Sequence, residues 1–424
     1  MTEYYLDQLS NKTKVLLAPL KETEAVTVLV LVKVGSRYES ANLGGISHFI
    51  EHLLFKGTKK RPTSLDISKE LDGVGADYNA FTGKDHTGYY IKVNHDKLEL
   101  AMDIVSDMLF NSVFSKEEID KERGVIIEEI NMYDDNPMIL IGSLLEECIF
   151  YKHPLGRDVS GSKENIQKIS RSQIVKYFNN NYIGNNIIVG VAGKFNKQKA
   201  KNLINKYFNR QIFKSSTSSF KTFASQQKKP RIVLKTKETE QVHIALGYPA
   251  YKIDDPRIYS LSLLATILGG NMSSRLFLEI REKLGLAYFI KMGISSYQDC
   301  GVLAVYAGLD KAKIKLALKT IIKELKKTVN SKVTKEELSR AKEYIKGKLI
   351  LRLEDSTQLI EWLAGQKLLK GKIDDLDEQI KKLEKVSLDQ VQRTAKEVIK
   401  SNKVNLGIIG PYTKQKSFLN ILQS

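Results

Sequence analysis

Cysteine is scarce in this chain of 424 residues: there are two, Cys148 and Cys300. They fall in different halves and cannot build a disulfide framework, so a reducing compartment is the expectation. Long apolar runs are missing as well. The longest, Ala25 to Val32, contains Thr27, is stopped by Lys33, and is far shorter than the ~18 residues of a membrane helix. Its Val-rich character predicts a buried strand. The first thirteen residues are polar and carry Glu3 and Asp7. They lack both the basic start and apolar centre of a signal peptide and the Arg-rich, acid-poor character of a transit peptide. A cytoplasmic protein without membrane contact is expected. The glycine-rich Leu268-Gly269-Gly270-Asn271 lacks the full G-x-x-x-x-G-K-[ST] pattern, which argues against nucleotide binding.

What is present is ordinary in bulk. Apolar residues make up 42% and charged residues 27%, which excludes a disordered or collagen-like chain. At roughly 150 residues per domain, the length predicts two or three domains. Sixty-seven basic residues against 49 acidic give a net charge of +18. The excess is mostly lysine, spread over helical stretches such as Lys311–Lys327 and Lys370–Lys385. No Arg-rich stripe, zinc finger or RNA-binding signature accompanies it. A solvated lysine surface, and not a nucleic-acid site, is the reading.

The order of elements repeats. Residues Gln211 to Pro230 are Ser-, Thr- and Lys-rich and read as a linker between a half at 1–210 and a half at 231–424. In the first half, strands at Lys14–Leu20 and Val26–Val34 precede helices at Gly44–Phe55 and Ser64–Val74. Strands Tyr78–Thr82 and Thr87–Asn94 come next. Helices Asp96–Asn111, Lys116–Tyr133, Pro137–Phe150 and Arg171–Asn180 follow, then a strand at Asn186–Ala192 and a helix at Lys197–Phe208. The second half runs the same way. Strands Arg231–Lys235 and Gln241–Tyr248 lead to helices Pro256–Leu268 and Ser273–Lys283, then strands Ala287–Ser295 and Gly301–Gly308. Helices Lys311–Val329, Thr334–Arg352, Gln358–Leu369 and Leu388–Lys400 follow, and a last strand at Val404–Ile409. Two strands, helices, two strands, helices and one strand, twice over, predict an α+β fold with two tandem copies of one sheet-plus-helices unit.

The stretch from Gly44 to Phe55 carries the chemistry. His48 and His52 stand four apart on a helix, so both imidazoles share one face, one turn apart. Two imidazoles at that spacing can ligate one Zn²⁺ and leave Glu51 free beside the metal's water. Ser47 is small, polar and placed to cap the turn. The order H-x-x-E-H is a zinc-peptidase signature. A catalytic zinc takes three protein ligands, so a third must come from another element. The helix from Ile119 to Tyr133 turns an apolar face drawn by Ile119, Ile126, Ile130 and Tyr133. Glu122 and Glu129 lie seven apart beside that face, while Glu128 points away. Two carboxylates at a core edge are costly without a cation, so Glu129 or Glu122 is the expected ligand. The wheel does not rank them.

Together these segments resemble the pitrilysin/insulinase clan of inverted-motif zinc peptidases, in its processing-peptidase-like bacterial branch. The similarity runs over essentially the whole chain. It includes Gly44-Gly45-Ile46-Ser47, the run His52-Leu53-Leu54-Phe55-Lys56-Gly57-Thr58, and Glu122-Arg123-x-Val125-Ile126-x-x-Glu129. The resemblance implies Glu129 as the third ligand beside His48 and His52, Glu122 as a supporting carboxylate, and Glu51 as the general base.

Gly75 to Thr87 alternates polar with small or apolar residues and reads as an edge strand near the site. An exposed edge can add an extended peptide as another strand. The resemblance implies that Asn79 and Ala80 hold substrate backbone there. Phe55, one turn after His52, reads equally as a core residue and as the lining of a substrate pocket. His86 qualifies as a ligand by type alone; His95, His153 and His243 read as structural or surface residues. The second half has no H-x-x-E-H. Its stretch from Ser273 to Tyr288 is an amphipathic helix ended by Gly285 and leading into a strand. By resemblance, Arg281 and Tyr288 there hold substrate carbonyls and the oxyanion.

The whole predicts a zinc-dependent endopeptidase acting on extended peptides or unfolded segments in an enclosed chamber. The resembling family places four such halves together. That implies a homodimer in which Arg281 and Tyr288 of one chain face the zinc of the other; a clamshell within one chain is the alternative. A non-catalytic scaffold or partner subunit is the rival function. Mn²⁺ or Co²⁺ also suits a two-His, one-carboxylate site.

Overall fold

The structure is a computed structural model that describes residues 3–210 and 219–423. The expected linker at Gln211–Pro230 lies partly outside the described residues, and its residues 219–230 carry no helix or strand. The chain forms two compact units. The first comprises residues 1–130, 158–221 and 349–377; the second comprises 131–157, 222–348 and 378–424.

Among the described residues, the first unit is built on six strands: β1 (Tyr5–Gln8), β2 (Lys14–Pro19), β3 (Ala25–Val32), β4 (Asp77–Thr82), β5 (Thr87–Asn94) and β6 (Ile187–Gly193). Their order is β1-β2-β6-β3-β5-β4, with β2 and β6 parallel and the other neighbours antiparallel. The central strand β3 explains the sequence's longest apolar run. Val26, Val28, Val30 and Val32 enter a core shared with helices α1 (Ile46–Leu54), α2 (Ser64–Asp72), α3 (Leu98–Asn111) and α4 (Lys116–Asp135). Leu29 and Leu31 face the other side, where helix Ser356–Lys370 lies with Leu359, Ile360 and Leu363. A strand buried on both faces reads as continuous apolar sequence. The exception, Thr27, is fully buried and bonds Ser356 Oγ at 2.8 Å, which satisfies its hydroxyl.

The second unit has five strands: β7 (Arg231–Thr236), β8 (Gln241–Ala250), β9 (Ala287–Ser296), β10 (Gly301–Asp310) and β11 (Asn405–Gly410). Their order is β7-β11-β8-β10-β9, again with one parallel pair, β7 and β11. Helix α5 (Pro137–Ile149) covers one face, and helices Ile258–Ala265, Ile314–Asn330 and Leu388–Val398 contribute to the core on the other. Strand for strand, β7-β11-β8-β10-β9 repeats β2-β6-β3-β5-β4. The duplicated α+β arrangement expected from the order of elements is therefore present.

The register makes the duplication concrete. Gly190 of β6 lies opposite Leu29, and Gly407 of β11 opposite Ala245. Each glycine sits beneath a crossing helix: a Cβ at Gly190 would come within 2.5 Å of Ile360, and one at Gly407 within 3.3 Å of Ile141. Glycine lets the helix approach the sheet.

Several expectations shift. The helix expected at Pro256–Leu268 is α-helical over Ile258–Ala265 and continues as a π-helix over Thr266–Gly270. The one expected at Ser273–Lys283 is π-helical over Phe277–Lys283, and Gly285 follows with a φ of +57°. Strand β1 and helices Lys163–Lys168 and Lys416–Gln423 were not expected. Among the described residues, no helix is long and apolar enough to cross a membrane.

Candidate metal centre

Helix α1 starts abruptly because of what precedes it. Gly45, its N-cap, has a φ of +96°, and a Cβ there would meet the Ser160 carbonyl at 2.6 Å. The exposed amides of the first turn are taken by the Glu39 carboxylate, which accepts from Gly45 N and Ser47 N at 2.8 Å each. An anion at a helix N-terminus also opposes the helix dipole favourably. Ser47 therefore does not cap the turn as expected. It lies inside the helix, and its hydroxyl is 3.0 Å from that of Tyr177.

From this fixed start the helix carries His48 and His52 with ring centroids 4.6 Å apart. Helix α4 brings the carboxylate. Glu129 Oε2 lies 3.6 Å from His48 Nε2 and 3.3 Å from His52 Nε2. Glu128 is exposed and Glu122 buried, as the helical wheel requires. One ligand atom from each of His48, His52 and Glu129 fits within a mutual 4.8 Å, so the three form a candidate metal group. Two imidazoles and one carboxylate suit a zinc ion and leave one of four tetrahedral positions open.

Glu122 separates the two candidate roles that the wheel left unranked. Its Oε2 lies 3.1 Å from His52 Nδ1, and its Oε1 is 2.8 Å from Lys56 Nζ. A carboxylate accepting from Nδ1–H keeps the proton there and leaves the Nε2 lone pair to ligate a metal ion. His48 Nδ1 is buried without a hydrogen-bond partner among the described residues.

Charge in this cluster is strongly coupled. Burial, with His52 beside it, lowers the His48 pKa to about 4. Burial also pulls His52 down, but the Glu122 and Glu129 carboxylates outweigh it and raise the value to about 9. Burial raises Glu51, partly opposed by the Thr82 hydroxyl and by His52. Burial raises Glu122 too, yet His52 and Lys56 win and hold it below its ordinary value. Three carboxylates, Glu51, Glu122 and Glu129, meet here, an excess of negative charge that a cation would satisfy.

Glu51 sits on α1 next to His52, with its Oε2 accepting a hydrogen bond from Thr82 at 2.5 Å. Thr82 ends β4, which is one of the two edge strands of its sheet. Asn79 is exposed, and its side-chain oxygen accepts from the Ala80 amide at 2.8 Å. Phe55 is half-buried and stacks on Tyr78, centroids 6.4 Å apart. In the second unit, Arg281 lies within the π-helical segment and Tyr288 on the edge strand β9, with the guanidinium 6.0 Å from the phenol ring centroid. Tyr288 is 73% exposed.

The remaining histidines are occupied elsewhere. His86 packs edge-on against Phe81, His95 pairs with Glu24 at 3.0 Å, His153 caps a short 3₁₀ turn and His243 lies beside Phe289. Sequence reasoning missed Lys56, Thr82 and Glu39 as parts of the site. Lys56 left one signal, a cation four residues after His52; Thr82 and Glu39 left none.

The chain is similar to known proteins along nearly its whole length. The insulinase family (peptidase family M16) matches residues 14–163, which hold His48, Glu51, His52 and Glu129. The peptidase M16 inactive domain matches residues 168–345. The chain is 33% identical over 401 residues to a protein named uncharacterized zinc protease YmxG of Bacillus subtilis (strain 168), covering 95% of this chain and 97% of that one. It is equally 33% identical over 417 residues to an uncharacterized zinc protease of Rickettsia felis, covering 96% and 98%. Among solved structures, a protease from Helicobacter pylori matches with a TM-score of 0.91 at 26% identity, over 97% of this chain and 100% of that one. A peptidase M16 inactive domain from Pseudomonas fluorescens, at 18% identity and a TM-score of 0.89 over 97% and 98%, shares the fold. Identity carried across nearly the full length of both chains, and not the H-x-x-E-H motif alone, shows that this chain belongs to the insulinase family of peptidases, M16.

Proposed function

We propose that the chain is a zinc-dependent endopeptidase that hydrolyses extended peptides or unfolded segments. The observation that carries this reading is the meeting of His48, His52 and Glu129 beside Glu51. In this reading the two imidazoles and Glu129 hold the ion, and Glu122 orients His52. A zinc ion bound there supplies Lewis acidity that polarises a carbonyl and acidifies water.

The chain's own groups do the rest. Thr82 holds Glu51 Oε2, so Oε1 is the oxygen left to act as base. It takes a proton from water as the water oxygen adds to the scissile carbonyl carbon. When the C–N bond breaks, the same carboxyl returns the proton to the leaving nitrogen, giving an acid and an amine with no covalent enzyme intermediate. The open edge of β4 presents Asn79 and Ala80 for pairing with an extended substrate backbone. Phe55 and Tyr78 form an aromatic surface for a side chain beyond the cleaved bond. Arg281 and Tyr288 supply a guanidinium and a phenol to the oxyanion. The assembly proposed is a homodimer enclosing the substrate, acting in the cytoplasm, where Cys148 and Cys300, both buried and not joined in a disulfide, stay reduced.

Metal analysis combined with digestion of a peptide library, with and without chelator, tests the reading. Stoichiometric zinc and chelator-sensitive cleavage are expected. A metal-free protein that cuts nothing would turn the assignment toward the scaffold.

A further inference from the structure

Lys56 follows α1 and stands on a loop that is pinned at both ends. Gly57 has a φ of +127°, and a Cβ there would meet the Pro62 carbonyl at 2.2 Å. The Thr58 amide donates to the Arg61 carbonyl at 2.7 Å, and Lys59 N donates to Asn111 O at 3.1 Å. Arg61, 2% exposed, ties the loop to Glu70 at 2.8 Å, Asp103 at 2.7 Å and Asp107 at 3.0 Å. A lysine on an ordinary loop would spread over many rotamers. Here the backbone that bears it is fixed, and its ammonium is delivered 2.8 Å from Glu122 Oε1.

Glu122 is almost wholly buried, with 4% of its side chain exposed, and its other oxygen holds His52 Nδ1 at 3.1 Å. Its two oxygens thus have separate tasks. A buried carboxylate with one unmatched oxygen is costly and free to turn. His48 has no comparable support on Nδ1 among the described residues, so His52 is the imidazole whose orientation rests on an outer partner. Lys56 and a dication together balance the charges of Glu51, Glu122 and Glu129.

We propose that Lys56 is a positioning residue of the metal centre, which fixes the Glu122 carboxylate so that Glu122 in turn fixes His52 for ion binding. This rests on the reading of His48, His52 and Glu129 as ligands and adds a residue to it. The coupling runs through Glu122 alone, so it has a thermodynamic signature that a merely structural lysine lacks.

The test measures zinc affinity of the full chain by competition with a chromophoric chelator, with melting of the zinc-free protein as the control for folding. Lys56→Met should weaken zinc binding by about ten- to a hundredfold, the usual effect of losing an outer partner of a ligand. Lys56→Arg should recover most of the loss. In a Glu122→Gln background, Lys56→Met should cost little more. Unchanged affinity in Lys56→Met, or an undiminished effect in the Glu122→Gln background, would overturn the proposal. If Lys56→Met does not fold, Lys56→Gln serves the same comparison. A wild-type chain that binds no divalent metal would instead defeat the reading of the ligands, so the two failures are distinguishable.

Discussion

Glu128 and Glu129 are neighbours of one chemistry, and only their direction separates them. Helical geometry was enough to read that direction from sequence, because Ile119, Ile126 and Ile130 draw the buried side of α4. The i, i+4 histidines were legible for the same reason. The wheel could not rank Glu122 against Glu129, since both share the edge; the ranking depends on which imidazole nitrogen each one meets. Thr82 and Glu39 were invisible, and Lys56 nearly so, because their partners come from other elements, and no local period records such a meeting. Thr82 offers the sharpest prediction at this scale. Thr82→Val keeps shape but removes the hydroxyl that holds Glu51. Metal content should stay at the wild-type level while kcat falls by about ten- to a hundredfold, as expected for a base left to wander. Thr82→Ser should restore most of the rate. Wild-type kcat in Thr82→Val would show that the contact has no part in turnover.

Elements were legible where burial imposes a period or a composition. Strand β3 announced itself through a run that is apolar on both faces, and α1, α3 and α4 through their 3.6-residue stripes. Strand β1 was missed because Tyr5–Gln8 is an exposed edge with no apolar alternation. The π-helical turns around Gly269 and Arg281 were missed because an α-helical pattern tolerates one inserted residue without losing its apolar face. The helix expected at Gln358–Leu369 is present as Ser356–Lys370, but its packing was not legible: it lies on the sheet of the first unit, although it is far along the chain. That placement carries a prediction. A chain ending at residue 210 leaves the side of the sheet bearing Leu16, Leu29, Leu31 and Ile188 without its cover. Such a fragment should be insoluble or lack a cooperative melt, and residues 219–424 supplied in trans should rescue it. A fragment 1–210 that is soluble and melts cooperatively by itself would contradict the packing.

At the scale of the whole molecule, the duplication was readable from the order of elements, and the matching order of five strands in the two sheets, with β1 added to the first, is its structural form. The repeat is asymmetric in chemistry: only the first copy carries the H-x-x-E-H motif. If a homodimer shares its sites, mixing Glu51→Gln chains with Arg281→Ala chains should give mixed dimers with one intact site and activity approaching half of wild type. No recovery despite demonstrated subunit exchange would exclude sharing and leave the metal chemistry untouched. The central claim is that the ion is held by His48, His52 and Glu129 while Glu51 moves the proton. Zinc content and peptide turnover measured side by side in Glu51→Gln test it most directly. One zinc per chain, as in the wild type, with turnover almost abolished is the expected outcome; cleavage at the wild-type rate by Glu51→Gln would contradict these roles.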